Sequence, residues 1–122
     1  MMAGYRDLIV WQKSMDLVVA VYQISSLLPK TETYGLVSQI RRAAISIPSN
    51  IAEGRGRESN GDYCRFLSIA YGSLCDVETQ FEIAVRLGFV QQETIVQILS
   101  NCSEVARLLR GLQKSIDVDV KR

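Results

Sequence analysis

The chain has 122 residues, of which 48% are hydrophobic, and this length and composition fit one folded domain without disulfides or metal. Its 14 basic and 13 acidic residues leave a formal net charge of +1, so any attraction to nucleic acid must come from a local patch. The chain has no histidine, which excludes the nucleophile pairs, zinc sites and general bases built on imidazole. We therefore expect a protein that is not an enzyme and binds neither metal nor cofactor.

The sequence also argues against a membrane or secreted protein. No apolar run reaches the roughly 18 residues that a membrane span needs, and the N-terminus lacks the features of a signal peptide. The three cysteines, Cys64, Cys75 and Cys102, are odd in number and widely spaced, which disfavours a disulfide framework. We expect a cytoplasmic protein with reduced cysteines.

The first predicted helix covers residues 7–28 and ends before Pro29, which cannot continue a helix. Its apolar residues form two neighbouring rows at helical spacing. One row is Leu8, Trp11, Met15, Val18 and Tyr22, and the other is Val10, Leu17, Val21, Ile24 and Leu28. One row is enough for a helix to join a four-helix bundle. We therefore assign the second row, from Val10 to Leu28, to an interface with another subunit.

The second predicted helix covers residues 33–55, with Thr31 or Thr33 as its N-cap. Pro48 lies inside it, where proline removes one backbone donor and crowds the carbonyl four residues earlier. The apolar spacing continues past Pro48 without a change of phase. We therefore predict a kink there rather than two separate helices.

The third and fourth predicted helices cover residues 59–87 and 91–116. Ser59 followed by Asp62 is a variant of the capping box, and Gly88 followed by Phe89 is typical of a glycine C-cap. The connections between the four helices are short, and short connections make successive helices antiparallel. The sequence thus predicts a single all-α domain over residues 1–122, an up-down-up-down antiparallel four-helix bundle.

Polar residues recur along the second predicted helix on the side opposite its apolar row. This polar ridge consists of Gln39, Arg42, Ser46, Asn50 and Glu53. Such a ridge can contact phosphates or the backbone of a partner. It can also form a hydrogen-bond network between helices or subunits, as buried polar groups commonly do. We favour the structural interpretation and keep ligand binding as the alternative.

Arginines are concentrated on the second predicted helix and around the loop that follows it. Guanidinium groups and exposed backbone amides before a helix N-terminus suit phosphate. The loop is neither a Walker loop nor a dinucleotide-binding turn, because no Gly-Lys-Ser/Thr follows it and no strand precedes it. A solvated turn is its simpler interpretation. The candidate nucleic-acid contacts, to phosphates rather than bases, are Arg41, Arg42, Arg55, Arg57 and Arg65.

Several short motifs stand out along the chain: LIVWQK (8–13), YGL (34–36), QIRRAA (39–44), SIPSNIAEG (46–54), FLSIA (66–70) and GS (72–73). Together they resemble a known family, the four-helix-bundle proteins encoded in intervening sequences of bacterial 23S ribosomal RNA genes. The resemblance spans residues from about 8 to 90 in the expected order, while the last helix matches only in pattern. The SIxxNIAEG core is its most specific part.

The resemblance implies a four-helix bundle that assembles into a ring of five subunits. A structurally similar relative, the accessory protein of diversity-generating retroelements, forms a basic pentameric barrel and engages nucleic acid together with a reverse transcriptase. By this resemblance we expect a homo-oligomer that binds structured RNA through its local arginine patches, since a ring multiplies each patch. The alternative is a scaffold that presents helix faces to another protein without contacting nucleic acid. The two differ in their response to salt, because only phosphate contacts weaken steeply as salt rises.

Overall fold

The chain forms a bundle of four helices in the computed structural model, which describes the backbone of residues 4–120 and the side chains of residues 4–116. Each helix packs against two others, in the order α1–α2, α2–α3, α3–α4 and α4–α1, which confirms the predicted all-α bundle. Residues 1–3 and 121–122 of the predicted domain lie outside the described residues. The helices are α1 (Ile9–Ser25), α2 (Leu36–Arg55), α3 (Asn60–Arg86) and α4 (Gln92–Val120), with 3-10 turns at Tyr5–Asp7 and Lys30–Glu32.

The core lies between the four helices and receives large apolar side chains from each. Leu17, Ile40, Phe81 and Ile98 are almost completely shielded from solvent. Burying a side chain of this size stabilises the fold by about 1.5–3 kcal/mol relative to leaving it exposed. No helix within the described residues is long and apolar enough to cross a membrane.

The ends of α3 have the predicted caps. The Ser59 side chain accepts a hydrogen bond from the backbone N–H of Asp62 at 3.1 Å. At the other end, Gly88 adopts φ +78°, and the N–H groups of Gly88 and Phe89 donate to the carbonyls of Val85 and Ala84. This is the Schellman arrangement, in which a left-handed glycine lets the chain turn back on the helix. α4 continues to Val120, beyond the predicted end at residue 116.

α1 ends at Ser25, earlier than the predicted end at Leu28. The Ser26 hydroxyl donates to the carbonyl of Gln23 at 2.6 Å, and the N–H groups of Leu27 and Leu28 bond three residues back, to Ile24 and Ser25. Serine hydroxyls compete for the last carbonyls of a helix, and bonds to the third residue back tighten its final turn. α1 therefore passes into a tight turn after Ser25, before Pro29 is reached.

α2 begins at Leu36, because a 3-10 turn at Lys30–Glu32 occupies the region where the threonine cap was predicted. A carboxylate oxygen of Glu32 accepts the N–H of Leu36 at 3.1 Å and so caps the helix. The structure does not confirm the predicted kink, since α2 runs unbroken to Arg55 with Pro48 inside it. Pro48 is itself buried against the core, and these tertiary contacts hold the helix together despite one lost hydrogen bond.

Gly54 brings α2 and α3 into close contact just before the turn between them. A Cβ atom at this position would lie 2.8 Å from the Cβ of Phe66 and 3.2 Å from the backbone oxygen of Tyr63. Only glycine fits between the two backbones here, which explains the glycine at the end of the SIPSNIAEG motif.

Candidate functional site

The five predicted nucleic-acid contacts fall into two separate groups. Arg41 and Arg42 lie in the first half of α2, whereas Arg55, Arg57 and Arg65 lie at the turn between α2 and α3. The rise of an α-helix places Arg42 and Arg55 about 20 Å apart along α2. The five arginines therefore do not form one continuous patch on a single protomer.

Arg41 is half-buried and bound to the end of α1. Its Nε donates to the Ser25 hydroxyl at 2.8 Å, its Nη2 donates to the carbonyl of Tyr22 at 3.2 Å, and its guanidinium lies 4.4 Å from the centre of the Tyr22 ring. A cation is favourable at a helix C-terminus, where carbonyl groups lack partners within the helix. Arg41 thus joins α2 to α1, which leaves less of its side chain for a ligand.

Arg57 and Arg65 share a buried aromatic ring at the α2–α3 turn. Each guanidinium carbon lies 4.6 Å from the centre of the Phe66 ring. Arg57 also pairs with Glu53 at 3.0 Å, and Arg65 approaches Asp62 at 3.6 Å, with all four charged side chains about half exposed. Both arginines keep N–H groups toward solvent, because each ion pair uses only part of the guanidinium.

Arg55 is half-buried beside Tyr63 at the same turn. Burial raises the pKa of the Tyr63 hydroxyl above its usual value, and the positive charge of Arg55 partly offsets that rise. The phenol is therefore neutral near pH 7 and offers a polar group, not a charge, at this turn.

The middle of the polar ridge belongs to a hydrogen-bond network between α2 and α3. The hydroxyls of Ser46 and Ser73 lie 2.8 Å apart, and the Asn50 amide donates to both the hydroxyl and the carbonyl of Ser46. Ser73 is buried and its hydroxyl also donates to the carbonyl of Ile69 at 3.2 Å. These contacts agree with the structural interpretation of the ridge, because they pair polar groups inside one protomer.

The N-terminal part of the ridge opens into a shallow polar groove of about 280 Å³ between α2 and α3. Gln39 and Arg42 line it from α2, and Asp76 and Gln80 line it from α3. The buried Oε1 of Gln80 has no hydrogen-bond partner among the described residues. The fifth ridge residue, Glu53, lies away from this groove and pairs with Arg57.

The predicted oligomer interface is wrong, because its residues lie in the protomer's own core. Val10, Leu17, Val21 and Leu28 are buried, with Leu17 and Val21 at 1% and 0% exposure, and Ile24 packs against them. Both rows of α1 consist of large apolar residues, so the sequence of α1 alone does not show which row faces the other helices. The buried row also holds Ser14 and Ser25, whose hydroxyls donate to the carbonyls of Trp11 and Tyr22. Because the hydroxyl groups of both serines are hydrogen-bonded within α1, these residues can be buried in the core.

The other row of α1 lines an open apolar groove against α2, which we call the α1–α2 groove. Its volume is about 330 Å³. Met15 and Ile45 are 42% and 44% exposed in it. A neighbouring groove shares Ile45 and adds the exposed rings of Tyr22 and Tyr34. The residues that line the α1–α2 groove are Tyr5, Trp11, Met15, Val18, Ile45, Pro48, Ser49 and Ala52.

The α3–α4 contact contains polar residues that the sequence analysis missed. Gln113 is 8% exposed, and its amide donates to the Ser68 hydroxyl at 2.8 Å and to the carbonyl of Cys64 at 3.2 Å. Arg110 donates to Gln113 at 2.8 Å and lies 3.6 Å above the ring of Tyr71. The spacing of Arg110 and Gln113 on α4 signals a shared helix face, but their partners on α3 lie more than 35 positions away in the sequence, which no local pattern reveals.

The acidic residues of α3 do not gather into a metal site. Groups of three or more potential metal ligands are absent from the part of the chain that the structure describes. Burial raises the pKa of the Glu78 carboxyl above its usual value, with a smaller contribution from the neighbouring negative charge of Glu82. None of the three cysteines forms a disulfide, and Cys102 is buried whereas Cys75 is exposed.

Comparison with known proteins confirms the resemblance drawn from the motifs. The family model described as 23S rRNA-intervening sequence protein matches residues 6–111. Among solved structures, a protein of unknown function from the S23 ribosomal protein family of Bacteroides thetaiotaomicron is similar, with a TM-score of 0.80 and 25% sequence identity. The match covers 87% of this chain and 99% of the other. A search of the curated proteins finds no match.

Proposed function

The chain belongs to the family of 23S rRNA-intervening sequence proteins, and from this premise we propose that it is a non-catalytic homo-oligomer that binds structured RNA. In this proposal a second copy covers the α1–α2 groove, and the arginines of the α2–α3 turn contact RNA phosphates. The observation that carries the proposal is the exposed apolar surface of α1 and α2. A cytoplasmic location belongs to the same proposal and suits a protein whose three cysteines form no disulfide.

The α1–α2 groove has the composition of an interface core. Aromatic residues and methionine are enriched in such cores and charged residues are depleted. The groove offers Tyr5, Trp11 and Met15, and none of its lining residues is charged. Partly exposed apolar side chains in one continuous surface commonly mark a site of association. We propose another copy of the chain as the occupant and, from the resemblance, a ring of five subunits as the assembly.

Self-association is tested by placing charge in the groove. Met15→Glu with Ile45→Glu puts two carboxylates at positions that are already partly exposed, so the protomer should still fold. Ile83→Glu with Val96→Glu is the matched control, since these residues of α3 and α4 are 41% and 57% exposed. In sedimentation velocity we expect an oligomer for the wild type and the control and a monomer for the groove variant. A wild-type protein that sediments as a monomer at micromolar concentration would overturn the proposal.

RNA binding is supported by the arrangement of arginine side chains at the α2–α3 turn. Arg57 and Arg65 lie within reach of the same ring, and Arg55 lies beside them in sequence. Arginine holds phosphate oxygens through two parallel N–H bonds. In an oligomer each protomer repeats this group, so contacts that are weak singly act together.

Fluorescence anisotropy with a labelled RNA stem-loop tests this binding. The variant Arg55→Gln, Arg57→Gln, Arg65→Gln removes the three charges of the α2–α3 turn and leaves Arg41, which joins α1 to α2, in place. We expect wild-type binding that weakens steeply with salt, and a variant with lower affinity and a shallower dependence on salt. Affinity that does not change across a salt titration would contradict phosphate binding.

A second candidate function is a protein-interaction scaffold. The ion pairs of Arg57 with Glu53 and of Arg65 with Asp62 favour it, because they reduce the charge that these arginines offer to phosphate. A scaffold would remain oligomeric, retain no RNA at physiological salt and copurify with a protein partner. The salt titration therefore separates the two functions.

A further inference from the structure

The second half of α4 carries three basic residues that no acidic residue separates. Arg107, Arg110 and Lys114 follow one another at spacings of three and four residues, which places them on one face of the helix. No Asp or Glu lies between residues 105 and 116, and the next acidic residues of α4 are Asp117 and Asp119. All three basic residues are exposed. We call them the α4 cationic row.

Contacts to α3 fix where this row lies in the bundle. Gln113 bonds to Ser68 and Cys64, and Arg110 covers Tyr71. Because α3 and α4 are antiparallel, this register brings Lys114 level with Arg65 and adds a fourth cation to the surface. The row thus belongs to the α3–α4 face, on the side of the bundle opposite the α1–α2 groove.

Ion pairs among the described side chains do not account for the row. The nearest preceding acid, Glu104, pairs with Lys13 of α1 at 3.3 Å and forms no ion pair with Arg107. Within the described residues, neither Arg107 nor Lys114 has a hydrogen bond or ion pair. The helix dipole does not account for it either, since its effect is confined to the last turn and α4 continues to Val120.

Two helix-interior glycines lie beside the row without any role in packing. A Cβ atom added at Gly72 of α3 or at Gly111 of α4 would meet no other atom within 4 Å. Glycine inside a helix is destabilising relative to alanine, so neither position is explained by the fold. A helix surface without side chains allows the backbone of a partner to come close. Cations flanked by bare helix backbone suit an extended chain of phosphates.

The aromatic residues of this face are already covered. Arg110 lies over Tyr71, and Arg57 and Arg65 lie against Phe66. The exposed aromatic side chains of the described residues are Tyr34, before α2, and Tyr22 of α1, which Arg41 partly covers. Single-stranded nucleic acid is held by bases that stack on exposed rings, whereas a duplex hides its bases and is contacted through phosphates. The surface therefore fits a duplex better than a single strand.

We propose that the α4 cationic row, with Arg65, is the surface on which this protein holds the phosphate backbone of double-stranded RNA. The inference deepens the proposed function, because it takes RNA binding as given and assigns the duplex contact to α4. It adds that Arg107 and Lys114 contact phosphate directly. Arg110 holds its place through Gln113 and Tyr71 and keeps N–H groups for a phosphate.

The test measures the binding of the full chain to a labelled 20-base-pair RNA duplex by anisotropy across a salt titration. The variant Arg107→Gln with Lys114→Gln removes two charges from the row and leaves Arg110 in place. The matched control, Lys30→Gln with Arg86→Gln, removes two exposed charges at the opposite end of the bundle. Sedimentation of each variant checks that the assembly is unchanged.

We expect the row variant to lose about tenfold in affinity and its salt slope to fall by roughly two, which corresponds to two lost phosphate contacts. The control should keep the wild-type slope. A single-stranded RNA of the same length should bind more weakly than the duplex, and its binding should respond less to the row variant.

Three results would overturn the inference in different ways. If the wild type binds neither duplex nor single strand, RNA binding itself is wrong and the proposed function fails with it. If the duplex binds equally well to the wild type and the row variant, the proposed function stands and the assignment to α4 fails. Tighter binding of a DNA duplex of the same sequence would contradict RNA as the partner.

Discussion

The α1–α2 face and the α3–α4 face of this bundle are built from similar amphipathic helices but expose different chemistry. The first presents an apolar groove in which Met15 and Ile45 are more than one-third exposed. The second presents arginine and lysine side chains on α4, with its buried polar residue Gln113 fully bonded. A bundle needs only the inward row of each helix for its core, so the outward rows are free to serve different partners.

The contrast is sharpest within α1, where one apolar row is buried in the core and the other is partly exposed. Leu17 lies in the core at 1% exposure, whereas Met15, on the neighbouring row, is 42% exposed. The buried row stabilises the protomer, whereas the exposed row is available for contact with a second copy. Substitutions in the core should therefore have larger effects on stability than substitutions at the surface.

Replacing Leu17 with alanine should have the largest effect. The free energy of unfolding should fall by about 3 kcal/mol, because a fully buried leucine leaves a cavity when it is truncated. Urea denaturation followed by circular dichroism gives this value. The loss should be the same at low and high protein concentration, since Leu17 is internal to the protomer. If the free energy of unfolding fell only at high protein concentration, Leu17 would lie in a subunit interface instead of the core.

Substitution of Gly54 tests the joint that holds α2 against α3. Gly54→Ala should lower the free energy of unfolding by about 2 kcal/mol, because the added methyl group collides with Phe66 and with the backbone of Tyr63. Thermal and urea denaturation both report it. If alanine at this position were neutral, the close approach of α2 and α3 would not exist in solution.

Substitution of Gly111, on the α3–α4 face, should change the free energy of unfolding in the opposite direction. Gly111→Ala should raise the free energy of unfolding by roughly 0.5–1 kcal/mol, since alanine favours the helix and its methyl group meets no neighbour. Urea denaturation of the same series measures the gain. Destabilisation by alanine at position 111 would show that another part of the chain packs on this surface.

The reactivity of Cys75 and Cys102 distinguishes the surface of the α3–α4 half from its core. Burial raises the pKa of the Cys102 thiol to about 12, so it is almost entirely protonated in the folded protein at pH 8. A maleimide should therefore label exposed Cys75 and leave Cys102 unmodified until the protein unfolds, as mass spectrometry of digested samples would show. Equal labelling of the two thiols in the native state would contradict the burial of Cys102.

The same thiol gives a small dependence of stability on pH. The unfolded chain loses the Cys102 proton near its ordinary pKa of 9.0, whereas the folded protein keeps it to about 12. Proton loss thus favours the unfolded state, and stability falls as pH rises between these values. Cys102→Ala should weaken this fall.

Much of the fold could be predicted because its signals are local. Apolar spacing predicted the four helices, and Ser59 and Gly88 predicted the caps of α3, since a cap is formed by residues three to five positions apart. The inward row of α1 could not be predicted, because two equally apolar rows differ only in what the other helices place against them. α1 ends at Ser25 rather than at the predicted Leu28, because bonds to the third residue back tighten its final turn ahead of Pro29.

The candidate sites were less predictable than the fold. Arg41 and Arg57 look like free charges in the sequence, yet Arg41 joins α2 to α1 and Arg57 pairs with Glu53. The spacing of Arg110 and Gln113 indicates a shared helix face, but it does not reveal their partners on α3, which are distant in the chain. The basic spacing on α4 was visible in the sequence, but its position opposite the apolar groove depends on the arrangement of all four helices.

The central claim is that a second copy covers the α1–α2 groove, and Trp11 reports on it directly, since it lines that groove and is the only tryptophan in the chain. Acrylamide quenching of its fluorescence compares the wild type with Met15→Glu, Ile45→Glu and with the control Ile83→Glu, Val96→Glu. The account predicts weak quenching in the wild type and the control and stronger quenching in the groove variant, where the assembly has dissociated. Equal quenching in all three proteins would contradict it.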